Sequence, residues 1–550
     1  MDLVITYQGK EYKIPQLSSA LDFIQKNKID VHEPVAAVIN GYFTRLNKKI
    51  RVGGTLELVE FDTSLGRRVY ESSILFMLQV AVEKLFPSVQ LFMQHSIHKG
   101  VYVEVKNKEL TEEEVLKLQN YLFDLVKKAA PIERIANDWD VSLKSLEDAD
   151  RQDLIHLFRY YPPTVFKSYR MEGVSECFYL PLVPNASYLK HFSLKKYQQG
   201  MVVMMPDADS AKQMIVPQFM DKPKLFNTYK EYNDWTQIFN TRTVGQLNES
   251  IMSSEIGNLI KVGEALHEKK VGVIADMITK REFMPRAVLI AGPSSSGKTT
   301  FSKRLGVQLM VNGLRPVSVS LDNYFVDREK TPRDENGDFD FETLEALDIK
   351  LFNKHLNDLL NGLEVEIPIF DFHTGKRKAA GTKMKLEANQ IMIIEGIHGI
   401  NPKLTAQIEA KHKFKIYIAP LTQLNLHRHD RITASDTRLI RRIVRDNNFR
   451  GYSAEDTILR WGSVRSGEKK NIFPLQEEAD VIFNSALFYE MSLMKGHAEK
   501  ELLRIQKNSE AYVEAQRLLK ILSYFLVIDD KEVPNTSLMK EFIGGSSFEY

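Results

Sequence analysis

Cysteine is almost missing from this chain: Cys177 is the only one in 550 residues. A single thiol excludes an internal disulfide and any all-cysteine zinc site. No run of about 18 apolar residues occurs, so no segment is expected to span a membrane. The opening stretch, MDLVITYQGKEYKIP, lacks the apolar core of a signal peptide. An excess of one charge is missing too. Lys plus Arg is 74 and Asp plus Glu is 72, giving +2, which offers no global attraction to nucleic acid or anionic membrane but leaves room for local basic patches. Internal repeats and low-complexity segments are absent. What remains is an ordinary soluble composition, with 43% hydrophobic and 27% charged residues, expected in a reducing cytoplasm. The length exceeds one core and implies about two to four domains.

The most informative stretch is Arg286 to Leu305, RAVLIAGPSSSGKTTFSKRL. Ala287 to Ala291 reads as a buried strand. Gly292, Pro293, Ser294, Ser295, Ser296, Gly297, Lys298 and Thr299 then spell G-x-x-x-x-G-K-T, with Thr300 next in line. A helical pattern follows, with Phe301, Leu305 and Leu309 on one face. Strand, glycine loop and helix in this order form a phosphate-binding loop. Backbone N–H groups and the helix's positive end converge on an anion. Lys298 reaches terminal phosphates, and the Thr299 hydroxyl suits Mg²⁺.

Around this stretch, the chain divides into four parts. Residues 1–62 alternate as β-β-α-β-β, with hairpin signals at Gln8-Gly9-Lys10 and Asn40-Gly41. Residues 63–225 form a second, α+β part. Residues 226–285 read as a helical connector. Its aromatic stripe of Tyr229, Tyr232, Trp235 and Phe239 is assigned to core packing. From 286 to 550, strands at Val317–Leu321, Ile391–Ile394, Phe414–Ile418 and Val481–Phe483 alternate with helices. This pattern predicts a parallel sheet covered on both sides. Glu499 to Leu526 reads as one helix.

Three groups beyond the loop suit phosphoryl transfer. Asp322 ends the second strand, where it can take the proton of an attacking hydroxyl and help hold Mg²⁺. Glu395 ends the third, as a further Mg²⁺ partner. Arg438, Arg441, Arg442 and Arg445 recur at spacings of three and four, so they share one helix face suited to clamping phosphate. Few acids lie in that segment to pair with them. Asn447 to Gly451 breaks the helix as a lid hinge would. Each has a plainer structural reading: a turn cap, a salt-bridged strand end, a solvated or RNA-facing helix.

AGPSSSGKTT, SLDNYF, IPIFDFHTGKR, IIEGIHG, RRIVRDNNFRG and EEADVIFNSA occur in the order seen in the uridine kinase family. The resemblance implies ATP- and Mg²⁺-dependent phosphorylation of a nucleoside 5′-hydroxyl, with Asp322 as base and Glu395 as Mg²⁺-associated acid. It places Asp340 near the ribose, Tyr324, Phe370, Phe372 and His373 at the acceptor, and Arg441, Arg442 and Arg445 over the ATP phosphates. Phe370 stands where the family has a tyrosine, and Gly375 where it has a histidine, so uridine specificity is less supported than catalysis.

The front of the chain resembles threonyl-tRNA synthetase. VAAVINGYFTRLNKKI and GGTLELVEF resemble its TGS domain, a β-grasp module. Residues 63–225 resemble its editing domain through SSILFMLQVAVEKLFP and LPLVPNASYLKHFSL. Ser72, Phe76 and Leu182 occupy that domain's histidine positions, and Cys177 is one residue out of step. A scaffold or regulatory role is therefore expected there, not hydrolysis. RNA or protein contact through the front half, and a homo-oligomer, stay open. So do two other functions: a kinase for phosphoribulose or pantothenate, and a nucleotide-regulated RNA-binding protein.

Overall fold

The computed structural model describes residues 2–334, 337, 339–372, 374–387, 389–422 and 424–549. Its central feature is a five-stranded parallel sheet. The order is Arg315–Ser320, Gln390–Glu395, Ala287–Ala291, Lys413–Ala419 and Val481–Asn484. Every expected strand is present. Ala287–Ala291 lies in the middle and is fully buried, which is why it reads as an unbroken apolar run.

Helices cover both faces of this sheet. Phe301, Leu305 and Leu309 of the helix Lys298–Val311 pack with Val271, Ile274 and Ile278 of the helix Ile256–Thr279 over one face. Phe352, Leu356 and Leu359 of the helix Ile349–Leu360 pack on the other. The long helix at the end of the connector segment is thus itself a layer of the sheet, tied to its neighbour by Arg304 on Glu264 and Glu268. All strand C-terminal ends open on one edge, where ligands bind in such sheets.

The front half starts with a five-stranded mixed sheet in the order Lys10–Pro15, Asp2–Tyr7, Gly54–Glu60, Pro34–Ile39, Tyr42–Thr44. The helix Ala20–Asn27 has a capping box at Ser19 and buries Phe23 on this sheet. Asn40 and Gly41, with φ of 52° and 78°, make the turn that Asn-Gly favours. The sheet's far face shares a core with the helix Ser64–Leu85 and a four-stranded antiparallel sheet.

The two halves are not beads on a string. Leu154, Phe158, Phe166 and Cys177 share one apolar core with Val244, Leu247, Leu439, Ile443, Leu518 and Phe525. A buried ion cluster joins them as well: Asp436 accepts from Arg68 at 2.8 Å and from Arg517. The expected helix from Glu499 to Leu526 is two helices, Glu490–Leu502 and Tyr512–Leu522. Ser509 breaks it by accepting the Ala511 N–H and donating to Glu455, a local bond that competes with helix. No helix among the described residues is long and apolar enough to cross a membrane.

Candidate active site

The loop takes its shape from glycine. A Cβ at Gly292 would lie 2.1 Å from the Ile418 carbonyl oxygen, so only glycine fits where loop and sheet touch. Gly297 caps the helix at φ 85°, a left-handed conformation that favours glycine. Ser295, at φ 58°, carries strain of the sort found at functional loops. The Lys298 ammonium folds back to donate to the Pro293 carbonyl at 3.3 Å.

Two acids meet this loop because of strand pairing. Ser320 and Ile290 both lie in register with Glu395, and Asp322 follows two residues after Ser320. The Ser320 hydroxyl donates to Glu395 at 2.7 Å. Burial pushes the Glu395 carboxyl up to about 7, and the Asp322 charge pushes the same way, while Lys298 pulls it down. The Thr299 hydroxyl, Asp322 and Glu395 are hard oxygen donors, and two mutually repelling carboxylates suit a divalent cation. This donor set fits Mg²⁺.

The arginine face differs from expectation. Each arginine has an acidic partner: two come from elsewhere in the chain, and two share Asp446 of the same helix. Arg438 pairs with buried Glu468 and donates to the Ser294 carbonyl at 3.0 Å. Arg441 is fully buried, with its guanidinium on Glu490 and the Ser485 carbonyl. It braces the loop from within the core and is not presented as a phosphate clamp. Arg442 donates to the Ser294 hydroxyl at 2.9 Å. Arg442 and Arg445 both pair with Asp446. The helix Ala434–Phe449 therefore holds the loop in place through Arg438, Arg441 and Arg442, which bond Ser294 and Ser295.

Phe370 and Phe372 pack with Phe325 as an aromatic wall. The Arg450 guanidinium lies 4.6 Å from the Phe372 ring centre and within electrostatic reach of Asp322. Tyr324 is not part of this wall. It is fully buried against Phe352, and its hydroxyl bonds His355 Nδ1 at 3.1 Å, so the expected substrate contact is replaced by a core one. His373 lies outside the described residues.

Asp340 accepts the Glu342 N–H at 3.0 Å. Glu342 is the buried acid of the segment, within electrostatic reach of Arg442, Lys298 and Arg438. Burial and the Glu468 charge push its carboxyl up to about 7, against the pull of Arg442, Lys298 and Arg438. The sequence located this acidic segment but not which carboxylate turns inward, because no hydrophobic periodicity sets the register of a loop.

The front half holds a second cluster. Phe76 packs edge-on against Phe178, and Leu182 is fully buried, so two of the three positions expected to stand in for histidines carry buried apolar side chains. Two imidazoles reach the same place from the rear half. His427 bonds the Cys177 carbonyl at 2.8 Å, and His429 bonds Glu176. Glu176, His427 and His429 lie close enough to share a metal. However, both Glu176 oxygens are already filled by Arg151, the Cys177 N–H and His429. A cavity of about 560 Å³ lies beside them, lined in part by Arg170, Arg428 and His429.

Residues 287–489 match the family described as "Phosphoribulokinase / Uridine kinase family". The uridine kinase of Ligilactobacillus salivarius is 30% identical over 207 residues, which is 37% of this chain and 87% of that protein. The uridine kinase of Mycoplasma genitalium is 31% identical over 179 residues, 32% of this chain and 74% of its own length. A solved structure described as a possible uridine kinase from Bacillus stearothermophilus aligns with 39% of this chain and 97% of its own, at 17% identity and a TM-score of 0.28. Loop, acids and arginines stand within the matched span, and the chain belongs, through residues 287–489, to the phosphoribulokinase/uridine kinase family.

Proposed function

We propose that this chain is an ATP-dependent kinase that phosphorylates the 5′-hydroxyl of a nucleoside. The observation that carries the reading is the meeting of the phosphate loop, Asp322 and Glu395 on adjacent strand ends. The loop N–H groups and Lys298 bind the donor phosphates. Thr299, Asp322 and Glu395 would hold Mg²⁺, which when bound would supply positive charge against the donor phosphates. Asp322 accepts the proton of the attacking hydroxyl. Arg442 and Arg445 offset the charge that develops as the phosphoryl group moves. Phe370 and Phe372 offer a stacking wall that suits a planar base.

A second acceptor class has one observation in its favour. Arg450, beside Phe372 and Asp322, suits an acceptor that already carries a phosphate or carboxylate. For the front half we propose a TGS-like module, residues 1–62, and an editing-like domain, residues 63–225, that has lost hydrolysis. The β-β-α-β-β-β order of residues 2–60, which adds the short strand Tyr42–Thr44 to the expected β-β-α-β-β, and the apolar filling at Phe76 and Leu182 support this. The test is a panel of nucleosides, sugar phosphates and pantothenate with Mg·ATP, read as ADP release. Nucleoside-dependent release supports the main reading; release with sugar phosphates or pantothenate alone moves it to the second.

A further inference from the structure

The C-terminal tail lies on the phosphate loop. Thr300 is in the first turn of the helix Lys298–Val311, where backbone N–H groups have no partner within the helix. Such groups give the loop its affinity for phosphate. Here the Thr300 N–H and hydroxyl both donate to one Glu541 carboxylate oxygen, at 3.1 and 2.7 Å. A second loop donor is filled in the same way: the Ser294 N–H gives its bond to Glu468 at 2.9 Å. Two carboxylates thus hold donors on an anion-binding loop.

Glu541 is set in place by the segment around it. Leu538 sits directly over Gly297, where an added Cβ would come within 2.4 Å of its Cδ2. Met539 and Phe542 are fully buried. The Phe542 ring faces the Arg441 guanidinium at 5.2 Å, and its carbonyl accepts from Asn448 at 3.0 Å. Ser537 bonds Glu264, and Lys540 pairs with Asp530. The tail therefore touches the loop, the arginine helix and the helix that covers the sheet. The Glu541 charge also reaches Glu395 across the site, which places it inside the catalytic field.

We infer that the tail is a built-in plug, in which the Glu541 carboxylate competes with a donor phosphate for the Thr300 N–H and hydroxyl. This rests on the proposed reading of the loop as the donor-nucleotide site. A phosphate oxygen and a carboxylate oxygen cannot both accept those two bonds. Nucleotide entry must swing Glu541 away, and the contacts of Leu538 and Phe542 set how readily that happens. Anything that lifts the tail raises affinity for the donor.

The test measures Mg·ATP binding to the full chain by calorimetry, for the native protein and for Glu541→Gln, Glu541→Asp and Lys298→Ala. Thermal unfolding confirms that each variant is folded. Losing a charge-assisted bond to a competing group is expected to tighten Mg·ATP about tenfold in Glu541→Gln. Glu541→Asp keeps the charge but is one methylene too short, and it too is expected to tighten binding. Adenosine, which lacks phosphate, is expected to respond to neither change. Unchanged or weaker Mg·ATP binding in Glu541→Gln overturns the inference. So does tightening in Glu541→Gln alone, which would show general repulsion and not competition for Thr300. If the native protein binds and Lys298→Ala does not, the donor site stands whatever Glu541 does. If no variant binds Mg·ATP, the donor reading itself fails and the plug fails with it.

Discussion

At the residue scale, the proposed chemistry rests on Lys298, Asp322 and Glu395. Lys298→Ala is expected to lower turnover by about 100-fold or more through loss of phosphate stabilisation. Asp322→Asn is expected to lower it by about 100- to 10,000-fold through loss of the proton acceptor. Both should leave the unfolding midpoint within about 2 °C of the native value, since neither side chain fills the core. Steady-state kinetics beside thermal melts check this; near-native turnover in Asp322→Asn refutes its role as base.

Glu395 gives a pH test. Its folded-state pKa is raised from 4.5 to about 7. Between those values the folded protein binds more protons at this site than the unfolded chain, so this group's contribution to stability falls as pH rises through the window. Glu395→Gln should therefore melt a few degrees higher than the native protein near pH 8, with the gap closing near pH 5. A gap that does not change with pH contradicts the assignment. Added Mg²⁺ should raise the native melt and leave the variant's unmoved.

At the element scale, the buried cluster of Arg68, Asp436 and Arg517 ties the long front-half helix to the arginine helix. Burial opposes the Asp436 charge, yet Arg517 and Arg68 hold its carboxyl well below the usual carboxylate range. Its stabilising share is present above the ordinary value and is lost as pH falls into the acid range. Asp436→Asn leaves two buried guanidiniums short of charge and should cost about 3–5 kcal/mol. Denaturant unfolding checks this, and a loss under about 1 kcal/mol contradicts it.

Elements with strong local signals were legible in the sequence. The loop strand, its helix and the other four sheet strands each carry an apolar run that one periodicity explains. Asp322 and Glu395 were legible because strand ends in such a sheet have a fixed edge. What was not legible depends on partners far along the chain. Arg441 looked unpaired because Glu490 is 49 positions away, and Arg438 because Glu468 is 30 away. Tyr324 lies beside Asp322 in sequence, but the short helical turn Leu321–Tyr324 sends it into the core. Glu541 had no local signal at all, since its partner is Thr300.

At the scale of the whole molecule, one apolar core draws on residues from Leu146 to Phe542, in both halves. The front half and the kinase sheet should therefore unfold in a coupled transition. Calorimetry of the full chain checks this, and a well-separated early transition of the front half would contradict it. Coupling of this kind also gives the front half a route to the loop. The segment Asn425–Arg431 enters the front half through Asn425, His427 and Arg431, and the helix Ala434–Phe449 that grips Ser294 starts three residues later.

On the proposed function, loop, base and acid form one phosphotransfer site. Its most direct measurement is acceptor-dependent ADP formation from Mg·ATP by the full native chain and by Asp322→Asn, with the same panel of nucleosides and other hydroxyl acceptors. Release is expected to depend on an acceptor, to be highest with a nucleoside, to yield a phosphorylated product, and to be lost in the variant. Release that ignores the acceptor, or that survives Asp322→Asn unchanged, would contradict it.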